Sequence, residues 1–408
     1  MLRFVMFCLF LISVNTIYSQ NTTLDSLLKT IVKENEVCGL SVAVIKNDSL
    51  VFYNGYGFRD LELKLPVNDN TKFRIASISK MITTTTLLTL FDKGMFKLDD
   101  DVSSYLGFKL RNPKFPNDTI TFKKLLSHTS SILDGSKYDD FLNASKTDNP
   151  PALTDLFSPD GEFYTDDIWM DNSPNDGYFT YANINFGIAG TIIEKLTGNR
   201  FDVVAYENVL KPLGINGGFN VDNLDDINNL AAIYRMENSV WVPQFDNYKG
   251  IKPNRDFSKY VIGSNGVIFS PTGGLRVTAA DLAKFMTAHQ NNGILGNIRI
   301  LAEKTTKTMH KSQWVYNGSN CDSASISMQN YALGNYKRYD FIPGETLIGH
   351  SGGAYGLVSD MYYSSEKKFG IVVICSGGIL KKGNSSNRTK LEEDVFTAVY
   401  SAFEGFDK

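Results

Sequence analysis

The stretch "FRIASISKMITTTTLLTL", residues 73–90, sets a serine and a lysine three positions apart, Ser77 and Lys80, where an apolar, threonine-laden segment begins. The pairing alone says little, because the chain holds four Ser-x-x-Lys pairs: Ser26/Lys29, Ser77/Lys80, Ser364/Lys367 and Ser365/Lys368. Context separates the second of them. An extended "KFRIA" precedes Ser77, and the apolar run continues to Gly94, with Lys93 in the last turn and the glycine as a stop. The spacing therefore predicts a helix that starts at Ser77 and carries Lys80 one turn further along the same face.

That placement has chemical consequences. A serine hydroxyl is a poor nucleophile until a neighbour accepts its proton, and a lysine does so only as the free base. Burial and the positive end of a helix both disfavour ammonium, so an enclosed Lys80 titrates below its solution value. Unpaired N–H groups at the helix start can hold a developing oxyanion. Thr83 to Thr86 are poor helix formers, which implies a helix stabilised by burial on most sides. The competing reading is a core helix whose lysine snorkels to solvent.

Working outward, the whole chain of 408 residues, with 42% hydrophobic and 21% charged content, is long enough for one large core or two to three compact units. A net charge of -3 leaves no basic excess for phosphate backbones, and no nucleic-acid-binding motif is present, so nucleic acid is not an expected partner. The first residues, "MLRFVMFCLFLISVNTIYSQ", combine Arg3, an apolar run from Phe4 to Val14 and the small Ser19. Such a run is too short to span a bilayer, which favours a signal peptide over residues 1–19, a mature chain beginning near Gln20, and a periplasmic or secreted protein with no stable membrane span. An uncleaved anchor is the alternative. Cys38, Cys321 and Cys375 then remain, an odd number without CxxC spacing; two of them could pair in an exported chain. His128, His289, His310 and His350 show no metal-ligand spacing, so neither a metal nor another cofactor is expected.

The two ends of the chain resemble each other more than they resemble the middle. "GLSVAVIKNDSLVFYNGYG" reads as a hairpin with strands at Ser41–Ile45 and Leu50–Tyr53 about Asn47–Asp48. "GLVSDMYYSSEKKFGIVVICSGG" repeats the design with strands near Leu357–Tyr363 and Ile371–Cys375, and "RTKLEEDVFTAVYSAF" has helical periodicity that should cover one sheet face. The expected architecture is an α/β fold. An antiparallel sheet built from both chain ends, residues 20–80 and 336–408, is flanked by helices and carries a large, mostly helical insertion over 81–335. Helix signals in the insertion include "TFKKLLSH" from Thr121, "FGIAGTIIEKLTG" ending at Gly198, and "TAADLAKFMTAHQNNG" from Thr278, which opens like a capping box with Asp281. The Asn-, Asp-, Gly- and Pro-rich stretches Asp134–Tyr178 and Asn216–Lys259 read as site-shaping loops or solvated excursions.

Two further motifs follow the Ser-Lys pair in order. "FTYANINFGIAG" supplies Tyr181-Ala182-Asn183 ahead of an apolar helix, and "LIGHSGGAYG" supplies His350-Ser351-Gly352-Gly353. Read singly, Tyr181 is an aromatic core residue, Asn183 a turn or cap, and the glycines a bulge. As an ordered set they resemble the penicillin-recognising serine hydrolases, the superfamily of class C β-lactamases, low-molecular-weight penicillin-binding proteins, D-aminopeptidases and related esterases. "LDDDVSSYLG", "ITFKKLLSHTS" and "SPTGGLRVTAADLAKF" extend the resemblance over nearly the whole mature chain.

The resemblance implies a β-lactamase/transpeptidase-like fold and a division of labour. Ser77 attacks the carbonyl, and Lys80 takes its proton. Tyr181 shares the transfer, then protonates the leaving group or activates water, while Asn183 holds Lys80 and the substrate amide. The N–H groups of Ser77 and Gly353 form an oxyanion hole, with His350, Ser351 and Gly352 completing the substrate-binding strand. His128 is implied as a structural residue. Three departures bear on substrate preference: His350 where many β-lactamases carry lysine, Ser131 where relatives usually have glycine, and Ala332 and Asn335 in the approach to the third motif. The function expected is an exported serine hydrolase working through an acyl-serine on small amides or esters, foremost D-amino-acid peptides, with a monomer as the default state. The alternatives are a β-lactamase or short-chain esterase, and an inactive binding protein that senses peptidoglycan fragments or β-lactams.

Overall fold

The computed structural model describes residues 21–342, 344–384 and 388–403; the signal-peptide reading falls outside them. Nine strands form one antiparallel sheet: β1 (Gly39–Lys46), β2 (Ser49–Asp60), β3 (Leu65–Pro66), β4 (Trp314–Val315), β5 (Asn330–Tyr331), β6 (Tyr336–Arg338), β7 (Leu347–Ala354), β8 (Leu357–Ser364) and β9 (Phe369–Cys375). Their spatial order is β4-β5-β6-β7-β8-β9-β1-β2-β3. The join between the two chain ends is the β1–β9 pair, with Leu40 opposite Cys375 and Lys46 opposite Phe369. Asn47 and Asp48 turn the first hairpin with φ of 49° and 65°, the left-handed pair that matches strand twist.

Period-2 alternation assigns each strand two faces. Leu40, Val42 and Val44 of β1 pack with Ile371 and Val373 of β9 in one core; Ala43 and Ile45 pack with Val372 and Ile374 in the other. Five helices matter for the site and its support: α1 (residues 21–34), α2 (Ser79–Asp92), α3 (Ile184–Thr197), α4 (Ala279–Gln290) and α5 (Lys390–Phe403). Leu24 and Leu28 of α1 and Val395, Phe396 and Val399 of α5 cover the first face, while Leu282, Phe285 and Met286 of α4 cover the second. Each such aliphatic or aromatic side chain contributes roughly 1.5–3 kcal/mol by leaving water. Cys38, Cys321 and Cys375 are buried free thiols. The Cys38 amide donates to the Gly377 carbonyl, two positions along from the Leu40–Cys375 pair.

In α2 every residue from Ser79 to Leu90 is buried. Its threonines tolerate this because each hydroxyl finds an acceptor: Thr84, Thr85 and Thr86 donate to the carbonyls one turn back, and Thr83 donates to the Pro271 carbonyl at 2.7 Å. One expectation is corrected. The α-helix starts at Ser79 and not at Ser77, which lies in a 3₁₀ turn, Ala76–Ile78, that leads into it without a break, Ile78 and Ser79 both being right-handed helical. Ala76, whose φ of 42° lies in the left-handed region, marks the end of the extended segment just before Ser77; Ser77 is partly exposed while Lys80 is buried in the first turn of α2.

The three helix signals of the middle region hold as capped elements. Thr121 accepts from the Lys124 amide at the start of Phe122–Leu126, Thr278 accepts from the Asp281 amide at the start of α4, and Gly198 ends α3 with φ 66°. Among the described residues no helix is long and apolar enough to cross a membrane.

Candidate active site

Lys80 organises the site. Its side chain is fully buried, and its Nζ donates to Ser77 Oγ at 3.0 Å, to Asn183 Oδ1 at 2.9 Å and to the Thr272 carbonyl at 2.9 Å. Aromatic faces close the remaining directions, with the Tyr181 and Phe186 ring centroids 4.9 Å and 5.6 Å from the amine. None of its three acceptors carries a charge. Burial therefore pulls the lysine pKa down to about 7, against a weaker upward pull from Asp134. A free amine beside Ser77 is thus a populated state at neutral pH.

Asn183 is held by a residue that sequence reasoning missed. Asp134 accepts from the Asn183 amide and side-chain Nδ2 with one oxygen, at 2.9 and 2.8 Å, and from the Ile184 amide with the other, at 2.9 Å. It thereby satisfies N–H groups that the start of α3 leaves unpaired. Since Nδ2 is committed to Asp134, Oδ1 must face the other way, toward Lys80. The available signal was position: Asp134 opens the Asp134–Tyr178 stretch read as site-shaping.

Tyr181 lies flat against His128, ring centroids 4.2 Å apart. His128 Nδ1 accepts from the Ala182 amide at 3.1 Å, and its carbonyl accepts from the Thr180 amide, so this histidine clamps the backbone on both sides of Tyr181. Burial holds the imidazole well below its ordinary pKa. The Tyr181 hydroxyl is buried and makes no hydrogen bond of ordinary geometry among the described residues. Burial drives its pKa well above the ordinary phenol value, an effect the neighbouring Ser77 hydroxyl only partly offsets. The group is a phenol at neutral pH.

On β7 the two glycines differ. A Cβ on Gly352 would stand 2.5 Å from the Ile75 carbonyl oxygen and from Ser359 Oγ, and 3.0 Å from Ala76 Cβ; the bare backbone lets β7 press against the turn that presents Ser77. A Cβ on Gly353 would meet only the Leu357 carbonyl at 3.9 Å, which leaves open space there. The Ser351 amide donates away from β8, to the Tyr336 hydroxyl at 3.3 Å. By strand alternation the Gly353 amide points to the same side, beyond the last β6 partner, Gly349. Gly352→Ala is expected to lower stability by roughly 1–3 kcal/mol and to slow any reaction at Ser77, measured as a lower melting temperature together with slower labelling.

A family model described as Beta-lactamase matches residues 24–393. The chain belongs to the β-lactamase family of serine hydrolases. Protein flp of Staphylococcus aureus (strain MRSA252) is 27% identical over 226 residues, an alignment that takes in 55% of this chain and 43% of that protein. The chain thus spans less than half the length of that curated relative. Among solved structures, the octameric penicillin-binding protein homologue from Pyrococcus abyssi superposes with a TM-score of 0.70 at 26% identity, over 92% of this chain and 76% of that one. The D-amino acid amidase from Ochrobactrum anthropi SV3, complexed with L-phenylalanine amide, gives 0.66 at 20% identity over 95% and 98% of the two chains, a likeness of fold.

This β-lactamase-family chain departs from the sequence expectation at the third motif. His350 and Ser351 do not reach the cavity. The His350 ring is buried, its Nδ1 donating to the Ser351 carbonyl and its Nε2 accepting from the Tyr331 hydroxyl at 3.1 Å. Burial, reinforced by the Lys80 charge, pulls its pKa to about 3. The Ser351 hydroxyl is occupied by Asp360 and by Tyr362 at 2.8 Å. A charged His350 receiving a substrate carboxylate is therefore excluded near neutrality. We expect parallel pH profiles from about pH 5 to 8 for a carboxylate-bearing substrate and a neutral ester; a selective fall for the carboxylate would contradict a neutral His350.

Ser131 explains a second departure. Its φ is 67°, a conformation glycine adopts freely and serine does not, and the hydroxyl compensates by accepting from Asn112 Nδ2 and donating to the Asn172 carbonyl, at 2.7 and 2.5 Å. Ser77, Asn183 and Gly353 open onto a cavity of about 810 Å³, walled by parts of both irregular stretches, including Asp139, Lys146, Phe245 and Arg255. Among the described residues no group of three or more His, Cys, Asp or Glu side chains is placed to hold a metal ion.

Proposed function

We propose that this β-lactamase-family chain hydrolyses small amides or esters through an acyl-enzyme on Ser77, acting outside the cytoplasm, with D-amino-acid peptides as the foremost substrate class. The carrying observation is the buried Lys80 amine, 3.0 Å from Ser77 Oγ and with a pKa pulled to about 7. As Ser77 attacks, its proton passes to the Lys80 free amine, which sits within hydrogen-bond reach. Asn183, anchored by Asp134, keeps the amine aligned. The carbonyl oxygen gains negative charge between the amides of Ser77 and Gly353. Tyr181, held as a phenol, donates its proton to the departing amine or alcohol, and the Lys80 ammonium passes the proton it took from Ser77 to the Tyr181 oxygen, restoring both groups. Water then attacks the acyl-serine, with the Lys80 amine again the group able to take a proton.

D-Amino-acid substrates are favoured by the fold shared with the D-amino acid amidase. The neutral His350, in place of a permanent cation, weighs against a dedicated β-lactamase. Export is supported by the apolar run Phe4–Val14. A panel of D-Ala-D-Ala peptides, D-amino-acid amides, a cephalosporin and short-chain esters, each run with a Ser77→Ala control, tests the reading. Turnover of the D-configured amides or peptides that vanishes in the control supports it. Turnover of esters alone shifts the assignment to an esterase, and binding without turnover shifts it to a sensor.

A further inference from the structure

The cavity that begins at Ser77 ends on a wall of cations. Arg74, Lys146 and Arg255 all line it. Arg74 donates to the Gly273 carbonyl and to Ser270 Oγ, Lys146 to Asn143 Oδ1, and Arg255 to the carbonyls of Ile268 and Ser145. Every one of these acceptors is uncharged, and among the described residues none of the three cations forms an ion pair. Arg276, on the same wall, behaves differently: it is neutralised by the buried Asp246 at 2.8 Å. Of the cavity's carboxylates, Asp134 is occupied by three N–H groups, and Asp139 is exposed.

The physics of the wall agrees with its geometry. Burial pulls the pKa of Arg74, Lys146 and Arg255 down from their ordinary values; neighbouring cations add to this at Arg74 and Lys146, and the carboxylates Asp246, Asp139 and Asp222 offset part of it at Arg74, Lys146 and Arg255 respectively. Phe245 lies between two of them, its ring centroid 5.2 Å from the Arg74 guanidinium carbon and 5.6 Å from Lys146 Nζ. Cations held this close with no carboxylate in direct contact repel one another, the more distant Asp246, Asp139 and Asp222 offsetting that only in part, and an anion entering the cavity relieves the repulsion.

We propose that this wall is an anion subsite that receives a carboxylate on the acyl part of the substrate. The assignment to the acyl part rests on the hydrolase reading above. A leaving group must meet Tyr181 to be protonated, and neither Tyr181 nor Lys80 lines the cavity. The portion of substrate that fills the cavity is therefore the one that stays on Ser77. Arg74 supplies a planar fork for a carboxylate, Lys146 and Arg255 supply charge from the two loops, and Phe245 packs against the methylenes between. An acyl donor built on an acidic amino acid fits this description.

The test compares mono-4-nitrophenyl adipate with 4-nitrophenyl hexanoate, which have the same chain length and differ in the terminal carboxylate. In wild-type enzyme, after subtraction of uncatalysed hydrolysis, kcat/KM should favour the adipate ester. That preference should fall at least tenfold in Lys146→Glu, an exposed position, and in Arg74→Gln. A ratio unmoved by both variants overturns the subsite. Calorimetric binding of the same two esters to Ser77→Ala protein reads the subsite without catalysis. Tighter binding of adipate that Lys146→Glu abolishes supports the proposal, and equal binding of both esters overturns it. If wild-type protein turns over neither ester while the binding difference persists, the hydrolase reading has failed and the anion subsite stands.

Discussion

Ser77→Ala is expected to abolish covalent labelling by a fluorophosphonate probe and to reduce turnover of any hydrolysed ester or amide at least ~10³-fold, since an acyl-serine cannot form without the hydroxyl. The fold should survive. Ser77 is partly exposed, on a turn at the cavity mouth, and its removal leaves the Lys80 amine two of its three acceptors, Asn183 Oδ1 and the Thr272 carbonyl. Intact-mass spectrometry of probe-treated protein measures the result. An unchanged adduct on the variant would place the nucleophile elsewhere and remove the mechanism.

Lys80→Met should separate activity from stability. Loss of the proton acceptor should slow acylation by roughly 10²–10⁴-fold. In wild-type protein, acylation by a neutral ester should rise with pH through a midpoint near 7, where the buried amine loses its proton, and the variant should lack that limb. The stability effect has the opposite sense. In the unfolded chain the lysine titrates near 10.5, in the folded chain near 7, so between those values the unfolded state binds one more proton. Wild-type stability therefore falls as pH drops from about 10 to 7 and is unaffected by this residue below that. Across the window the term amounts to ~5 kcal/mol. The difference in unfolding free energy between Lys80→Met and wild type should shift in the variant's favour over that range and then level off, as read from urea titrations at several pH values. A flat difference would mean that the amine is charged in the folded protein.

These expectations show which parts of the site are local. The Ser77/Lys80 pairing follows from spacing on one turn, and Thr121, Thr278 and Gly198 announce their caps through side-chain chemistry or the lack of a side chain. Asp134 was not legible as a site residue, because its partners Asn183 and Ile184 lie about 50 residues away and an aspartate in an Asn- and Gly-rich loop has many local uses. Nor was the orientation of the third motif. His350-Ser351-Gly352-Gly353 reads as four candidate ligands, but a strand shows alternate residues to opposite sides, and the neighbours Tyr331, Asp360 and Tyr362 decide which polar groups are absorbed before a substrate arrives.

The sequence by itself determined the α/β class, the sheet made from both chain ends, and the order of Ser77, Lys80, Tyr181, Asn183 and the glycine strand, because hydrophobic period, turn residues and caps act over a few positions. Only the tertiary structure decided that Lys80 loses its solvent and titrates near 7, that a left-handed Ala76 precedes Ser77, that His350 stays neutral, and that three cations without a direct ion pair face the cavity. Those properties depend on what surrounds a group in every direction, and most of the surroundings come from residues far away in the chain.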